Sequence, residues 1–252
     1  MSIISKAAAG LAVSFLSSTA VTAPALADAR NIVLVHGALV DGSGWRGVYD
    51  ILTRDGYNVS IVQQPLTSLE QDVGATRRIL DQQDGNVVLV GHSYGGTIIT
   101  AAGDDPKVKA LVYVAALQPE KGESTTQLLQ SMPSPTKDIK PLKDGFLLID
   151  PSKFAADFGA DLPKAQAEFM ARSQMPVAVA ATDTQVPVAA WHDKPSYAIV
   201  AKDDMPINPN LERWMYKRAG STVTEVEGSH AIYISQATAV AKVIEEAAKA
   251  AK

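Results

Sequence analysis

Short apolar runs separated by amphipathic stretches dominate the first half of the chain. Asn31–His36 (NIVLVH), Tyr57–Val62, Asn86–Val90 and Val108–Ala115 are continuous and rich in β-branched residues. Such runs predict strands buried on both faces, as in a parallel sheet. Between them, Trp45–Arg54, Leu69–Gln83 and Tyr94–Ala102 carry helical spacing. Gly56 is placed as a helix C′ residue and Ser68 as an N-cap with Gln71 three residues on. Strands alternating with helices predict βαβ units and one parallel sheet. The alternation stops at Leu117. From there to Trp191 the chain holds many of its prolines and no strong strand signal, which predicts an inserted, mostly helical cap over the sheet edge. It resumes with a strand at Ser196–Ala201, a helix at Asn208–Arg218, a strand at Ser221–Val226 and a last helix at Tyr233–Lys252.

The N-terminus does not fit this pattern. Lys6 is the only charge before Asp28; Ala7–Val21 is apolar and small; Ala25-Leu26-Ala27 forms an A-x-A site. These are the three regions of a cleavable export signal, and the run is too short and too broken to span a bilayer. The expected layout is therefore a signal peptide over residues 1–27 and one domain over 28–252, with the cap at about 117–191. The expected location is the periplasm or the medium, without a membrane anchor. Cleavage would take Lys6 away and move the formal charge from −4 to −5.

Composition narrows the chemistry. The chain of 252 residues is 46% hydrophobic and 20% charged, an ordinary globular balance. The absence of a basic block disfavours nucleic acid as a partner. No cysteine is present, which removes disulfides, thiolate metal sites and cysteine nucleophiles.

Four short segments bear chemistry. Gly91-His92-Ser93-Tyr94-Gly95 sits directly after an apolar strand and directly before a helix. That context makes Ser93 the candidate nucleophile on a tight elbow, with side chains at Gly91 and Gly95 excluded by neighbouring backbone. An oxyanion hole needs two convergent backbone N–H groups; Tyr94 and Ala38 are the candidates, while His36 is read as structural. A serine hydroxyl needs a base, and of His36, His92, His192 and His230 only His230 follows the last strand, in the order Ser…Asp…His. The acid comes after Ser196–Ala201, where Asp203 and Asp204 both stand and Asp204 is preferred. The stretch after the preceding strand has no carboxylate until Glu120.

The segments Leu34–Trp45, Val88–Gly96, Tyr113–Ser124, Ala201–Met215 and Val226–Gln236 resemble the α/β-hydrolase superfamily. More narrowly, they resemble the branch of plant methyl esterases, hydroxynitrile lyases and small bacterial esterases. The resemblance implies an α/β-hydrolase fold and a triad at Ser93, Asp204 and His230. Related chains carry the acid in a D-x-x-[IV]-x-P pattern, which Asp204, Ile207 and Pro209 fit and Asp203 does not. Lyases of the branch carry a lysine after the histidine and a threonine in the oxyanion loop; Ala231 and Ala38 occupy those places, which favours hydrolysis. The expected activity is cleavage of a small, uncharged carboxylic ester through an acyl-enzyme, with no metal or cofactor. A lactonase, a hydroxynitrile lyase or a non-catalytic small-molecule binder on the same scaffold is the alternative. Leu128, Leu129, Phe146, Phe154, Phe158, Phe169 and Met170 are candidates to line the acyl pocket or the core of the cap, and Trp191 and His192 could reach the site.

Overall fold

The computed structural model describes residues 29–251; the export-signal reading falls on residues outside them. In chain order the elements are β1 (Asn31–Val35), α1 (Arg46–Arg54), β2 (Asn58–Val62), α2 (Leu69–Asp81), β3 (Val87–His92), α3 (Gly95–Ala102) and β4 (Val108–Val114). Next come α4 (Thr125–Ser131), β5 (Ile139–Pro141), β6 (Phe146–Ile149), α5 (Phe154–Phe158), α6 (Lys164–Arg172), β7 (Val177–Ala178) and α7 (Val179–Asp183). The chain closes with β8 (Ser196–Ala201), α8 (Pro209–Ala219), β9 (Thr222–Val226), α9 (Ile232–Ser235) and α10 (Ala237–Ala250).

Six strands form one parallel sheet in the order β2-β1-β3-β4-β8-β9. The period-2 alternation of a strand sends its apolar residues to two cores. Ile32, Leu34, Val88, Val90, Val112 and Ile199 pack with α1 and α10. Val33, Val35, Leu89, Leu111 and Val200 pack on the other face, where α2, α3 and α8 lie. Burial of both faces is why these strands are continuous apolar runs. Helix ends follow the local chemistry. The Ser68 hydroxyl accepts from the Gln71 N–H to open α2, and Pro209 occupies the first turn of α8 behind the Asn208 cap. The last helical stretch is two helices rather than one, divided at Gln236.

The cap differs from its sequence expectation. Besides helices α4 to α7 it holds a three-stranded antiparallel sheet, β5-β6-β7. These strands have two to four residues, too short for a period-2 pattern to register. The cap is sewn to the main sheet's loops by polar contacts. The Thr136 N–H donates to Met205 O at 3.1 Å, and the Ser134 hydroxyl to Pro206 O at 2.6 Å. The Ala178 N–H donates to Leu66 O at 2.8 Å.

Leu66 itself has φ +60°, unusual for a branched side chain. Asp72, fully buried on α2, holds that turn: one carboxylate oxygen accepts from the Leu66 N–H at 2.8 Å and the other from the Tyr94 hydroxyl at 3.0 Å. Burial raises the Asp72 carboxyl from 3.8 to about 6, against the opposing pull of those two donors. A carboxyl raised by folding contributes stability below its unfolded value that is lost as pH climbs through the folded one. Asn at this position keeps an acceptor for Leu66, and the Tyr94 hydroxyl can turn toward Ala181 O, 3.4 Å away. Asp72→Asn should therefore gain stability over wild type as pH rises between 3.8 and about 6. The gain should be on the order of 1–2 kcal/mol, below the full ~1.4 kcal/mol per unit. Urea unfolding of both proteins across that interval measures it, and a difference flat with pH would refute the assignment.

Candidate active site

The site forms where strand ends meet loops. β3 ends at His92, and the chain reverses into α3 at Ser93, whose φ is +55°. The turn closes only without side chains at its flanks. A Cβ at Gly91 would lie 2.5 Å from Gly95 O, and one at Gly95 would lie 2.7 Å from His36 O. The elbow puts Ser93 in a buried position facing a cavity, with the N-terminal turn of α3 starting beside it. The positive φ is backbone strain held by packing, a feature common at reactive positions.

His230 lies in the turn between β9 and α9 and is 1% exposed. Its Nε2 is 2.8 Å from Ser93 Oγ, and its Nδ1 is 2.5 Å from Asp204 Oδ2. Asp204 follows β8, and its second oxygen accepts from the Ile207 N–H at 2.7 Å. The spacing between acid, Ile207 and Pro209 thus has a physical basis: the carboxylate caps its own turn and the proline starts α8. Asp203 is exposed and does not face His230; its N–H donates to Gly228 O. The structure therefore brings Ser93, His230 and Asp204 into one hydrogen-bonded series. Ala38 and Tyr94 border the same cavity as Ser93 and His230.

The two other buried histidines hold backbone. The His36 ring bonds Gly37 O at 2.8 Å, and burial lowers its pKa to about 4, so it is neutral. The His92 ring donates from Nε2 to His230 O at 2.9 Å. Burial keeps His92 neutral, and its ring lies 4.7 Å from that of His230.

Three supporting residues carried no usable signal in the sequence. Asp161, between α5 and α6, accepts from the Ser229 N–H at 3.1 Å, from the Ser229 hydroxyl, and from the Ser235 hydroxyl at 2.7 Å. It fastens the turn that carries His230, while Phe158 O accepts from the Ala231 N–H. His92 was visible only as a variable position within the elbow. Glu212, on α8, is wholly buried beside Asp204.

A cavity of about 590 Å³ opens over Ser93. Leu129, Ile139, Leu147, Phe158, Val177 and Ile207 contribute apolar walls, and Lys137 stands at the rim. Of the pocket candidates, Leu129 and Phe158 reach this cavity. Leu128 and Phe154 are buried in the core, Phe146 packs against that core from a partly exposed position, and Phe169 and Met170 border a separate, smaller recess. Trp191 and His192 do not line the cavity over Ser93: the Trp191 indole donates to Pro119 O at 2.8 Å, and His192 pairs with Glu120. Among the described residues no group of three or more His, Asp or Glu is placed to hold a metal ion.

Known proteins share this architecture. A carbendazim hydrolyzing esterase from a Nocardioides species is 36% identical over 113 residues, which are 39% of this chain and 47% of that protein. The chain thus spans about half the length of that relative. Methylesterase 8 of Arabidopsis thaliana is 25% identical over 79% of this chain and 82% of its own, in line with the expected plant methyl esterase branch. The crystal structure of a pyrethroid hydrolase from Sphingobium faniae superposes with a TM-score of 0.74 at 24% identity, over 87% of this chain and 97% of that one, and so shares the fold. The family model described as "Alpha/beta hydrolase family" matches residues 32–243, and the chain belongs to that family.

Proposed function

We propose that this protein is a serine hydrolase that cleaves a carboxylic ester of an uncharged small molecule. The observation that carries the reading is the contact of Ser93 Oγ with His230 Nε2 at 2.8 Å, at the floor of a largely apolar cavity. The relatives' names, an esterase and a methylesterase, are those of ester-cleaving proteins.

In the first half-reaction Ser93 Oγ attacks the ester carbonyl while His230 Nε2 takes its proton. Asp204 holds the ring through Nδ1 and stabilises the imidazolium. The oxyanion is received by the backbone N–H groups of Ala38 and Tyr94. His230 then returns the proton to the leaving alcohol, and water repeats the sequence on the acyl-enzyme. A cavity of about 590 Å³ falls within the ordinary range for small-molecule sites. The apolar walls favour alkyl or aryl groups, because burying a fixed charge against them without a partner is costly.

Hydrolysis of p-nitrophenyl esters from acetate to decanoate tests the assignment. Wild type should turn over, and Ser93→Ala should lose at least about 10³-fold in kcat. Full activity in the variant would remove Ser93 as nucleophile. Absence of wild-type turnover would redirect the reading to a lactonase, a lyase or a binder, separable with lactones and cyanohydrins.

The same series sizes the pocket. Leu129→Trp narrows the cavity and should lower kcat/KM for the long acyl esters by roughly 10-fold while sparing acetate. Equal loss across the series would mean that Leu129 does not border the acyl site.

We further propose that residues 1–27 direct export and are removed. The charge, apolar run and A-x-A site support this. Mass spectrometry of the protein recovered outside the cytoplasm should find Asp28 as its first residue; an intact Met1 would refute it.

A further inference from the structure

We propose that Glu212 is a positioning residue: its carboxyl donates a hydrogen bond to Asp204 and so fixes that carboxylate for His230. The proposal rests on the reading of Asp204 as the acid of the triad. Three observations carry it. First, Glu212 is 0% exposed, one turn into α8, and Asp204 is buried as well. Both residues are tied to Ala201, whose N–H donates to Glu212 Oε2 and whose O accepts from the Asp204 N–H at 3.3 Å, and the two carboxyls are close enough to interact. Two buried carboxyls this close cannot both stay ionised. Second, Oε2 accepts from the Ala201 N–H at 3.3 Å, whereas Oε1 faces no N–H or O–H donor. An oxygen without a donor, beside an acceptor, is where an acid proton belongs.

Third, the neighbouring cation, Arg213, acts on Glu212 only from a distance and forms its ion pair elsewhere. Arg213, next on the same helix, binds Glu225 through two contacts of 2.8 Å and Asn210 through one of 3.0 Å, all on the exposed side. Tyr216, one turn on, donates to Ala116 O and accepts from the Ala116 N–H, leaving nothing for Glu212. Tyr113 on β4 is bonded to Thr100. On the far side of Asp204 stands the His230 imidazole. Burial and the nearness of Asp204 both push the Glu212 carboxyl well above the usual carboxylate range, in keeping with a neutral acid.

The arrangement gives each oxygen of Asp204 a defined partner. His230 Nδ1 meets Oδ2, the Ile207 N–H meets Oδ1, and the Glu212 proton adds a third donor. The carboxylate then has little freedom to rotate away from the imidazole.

Glu212→Gln keeps a donor for Asp204 and an acceptor for Ala201; Glu212→Ala keeps neither. With p-nitrophenyl ester, Glu212→Gln should stay within about twofold of wild type, with an unmoved acidic limb of kcat/KM. Glu212→Ala should lose roughly 10-fold in kcat with KM little changed, its acidic limb displaced to higher pH because the Asp204 charge is no longer shared with the donor. Infrared spectra of wild type at alkaline pH should show a carboxylic-acid C=O band that Glu212→Gln lacks. The low-field proton resonance of the His230–Asp204 bond should persist in Glu212→Gln and broaden or shift in Glu212→Ala. These two spectra need no turnover, so they judge the contact even if the ester reading fails. An acidic limb displaced to lower pH in Glu212→Gln would show that a negative charge had been removed, and would overturn the proposal. So would an unchanged infrared band, or an alanine variant identical to wild type in rate and resonance.

Discussion

An imidazole has two nitrogens, and the arrangement around Ser93 holds only while each keeps its own partner. His230 meets Ser93 at Nε2 and Asp204 at Nδ1, and these three residues are separated by 137 and 26 positions in the chain. A parallel sheet solves the convergence. The turns after β3, β8 and β9 all leave the same edge, so a hydroxyl, a carboxylate and an imidazole can be delivered to one point by three loops. Strain at Ser93 is accepted because the sheet on one side and α3 on the other leave the turn no alternative.

The electrostatics behind the cavity follow from burial. Asp72 and Glu212 are both enclosed carboxyls, each raised by desolvation and each fed by backbone donors. One secures the side chain of Tyr94, whose N–H is read as an oxyanion donor; the other interacts with Asp204. In a medium of low polarity a proton is the least expensive counter-charge for a carboxyl, and hydrogen bonding then aims what it touches. Enclosed neutral histidines serve the same end. His36 and His92 bind backbone carbonyls and bring no positive charge near His230.

Much of this was legible in the residues because the constraint and the letter coincide. Continuous apolar runs mark strands covered on both faces. Gly91 and Gly95 mark places where a Cβ would come within 3 Å of neighbouring backbone. Asp204, Ile207 and Pro209 mark a self-capped turn that starts a helix. The cap was less legible because its strands are shorter than one period of any pattern, and its aromatic residues serve mostly its own core. Asp161, a lone polar residue in an irregular stretch, reads as solvated until its partners at Ser229 and Ser235 are known. Glu212 reads as one more charged position of an amphipathic helix; only the packing of α8 against β8 turns that position inward.

The cap is usually pictured as a lid that shapes a pocket, but here it also grips both loops that hold the imidazole. Residues 133–136 bind the acid loop at Met205, Pro206 and Asn208. Phe158 and Asp161 bind the His230 loop and the helix after it at Ser229, Ala231 and Ser235. The Phe158 ring meets the His230 ring edge to face at 4.9 Å, with Phe154 stacked behind it. The cap therefore has two duties, which overlap at Thr136 and Phe158, since both also line the cavity. Leu129, Ile139, Leu147 and Val177 face the cavity without touching these loops through polar contacts, so changes there alter what fits. Changes at Thr136, Phe158 or Asp161 reach the alignment of Asp204 and His230 themselves. What fits can drift on the first set while the alignment of Asp204 with His230 stays fixed by the second, which is how one scaffold can take on different ligands without rebuilding its site.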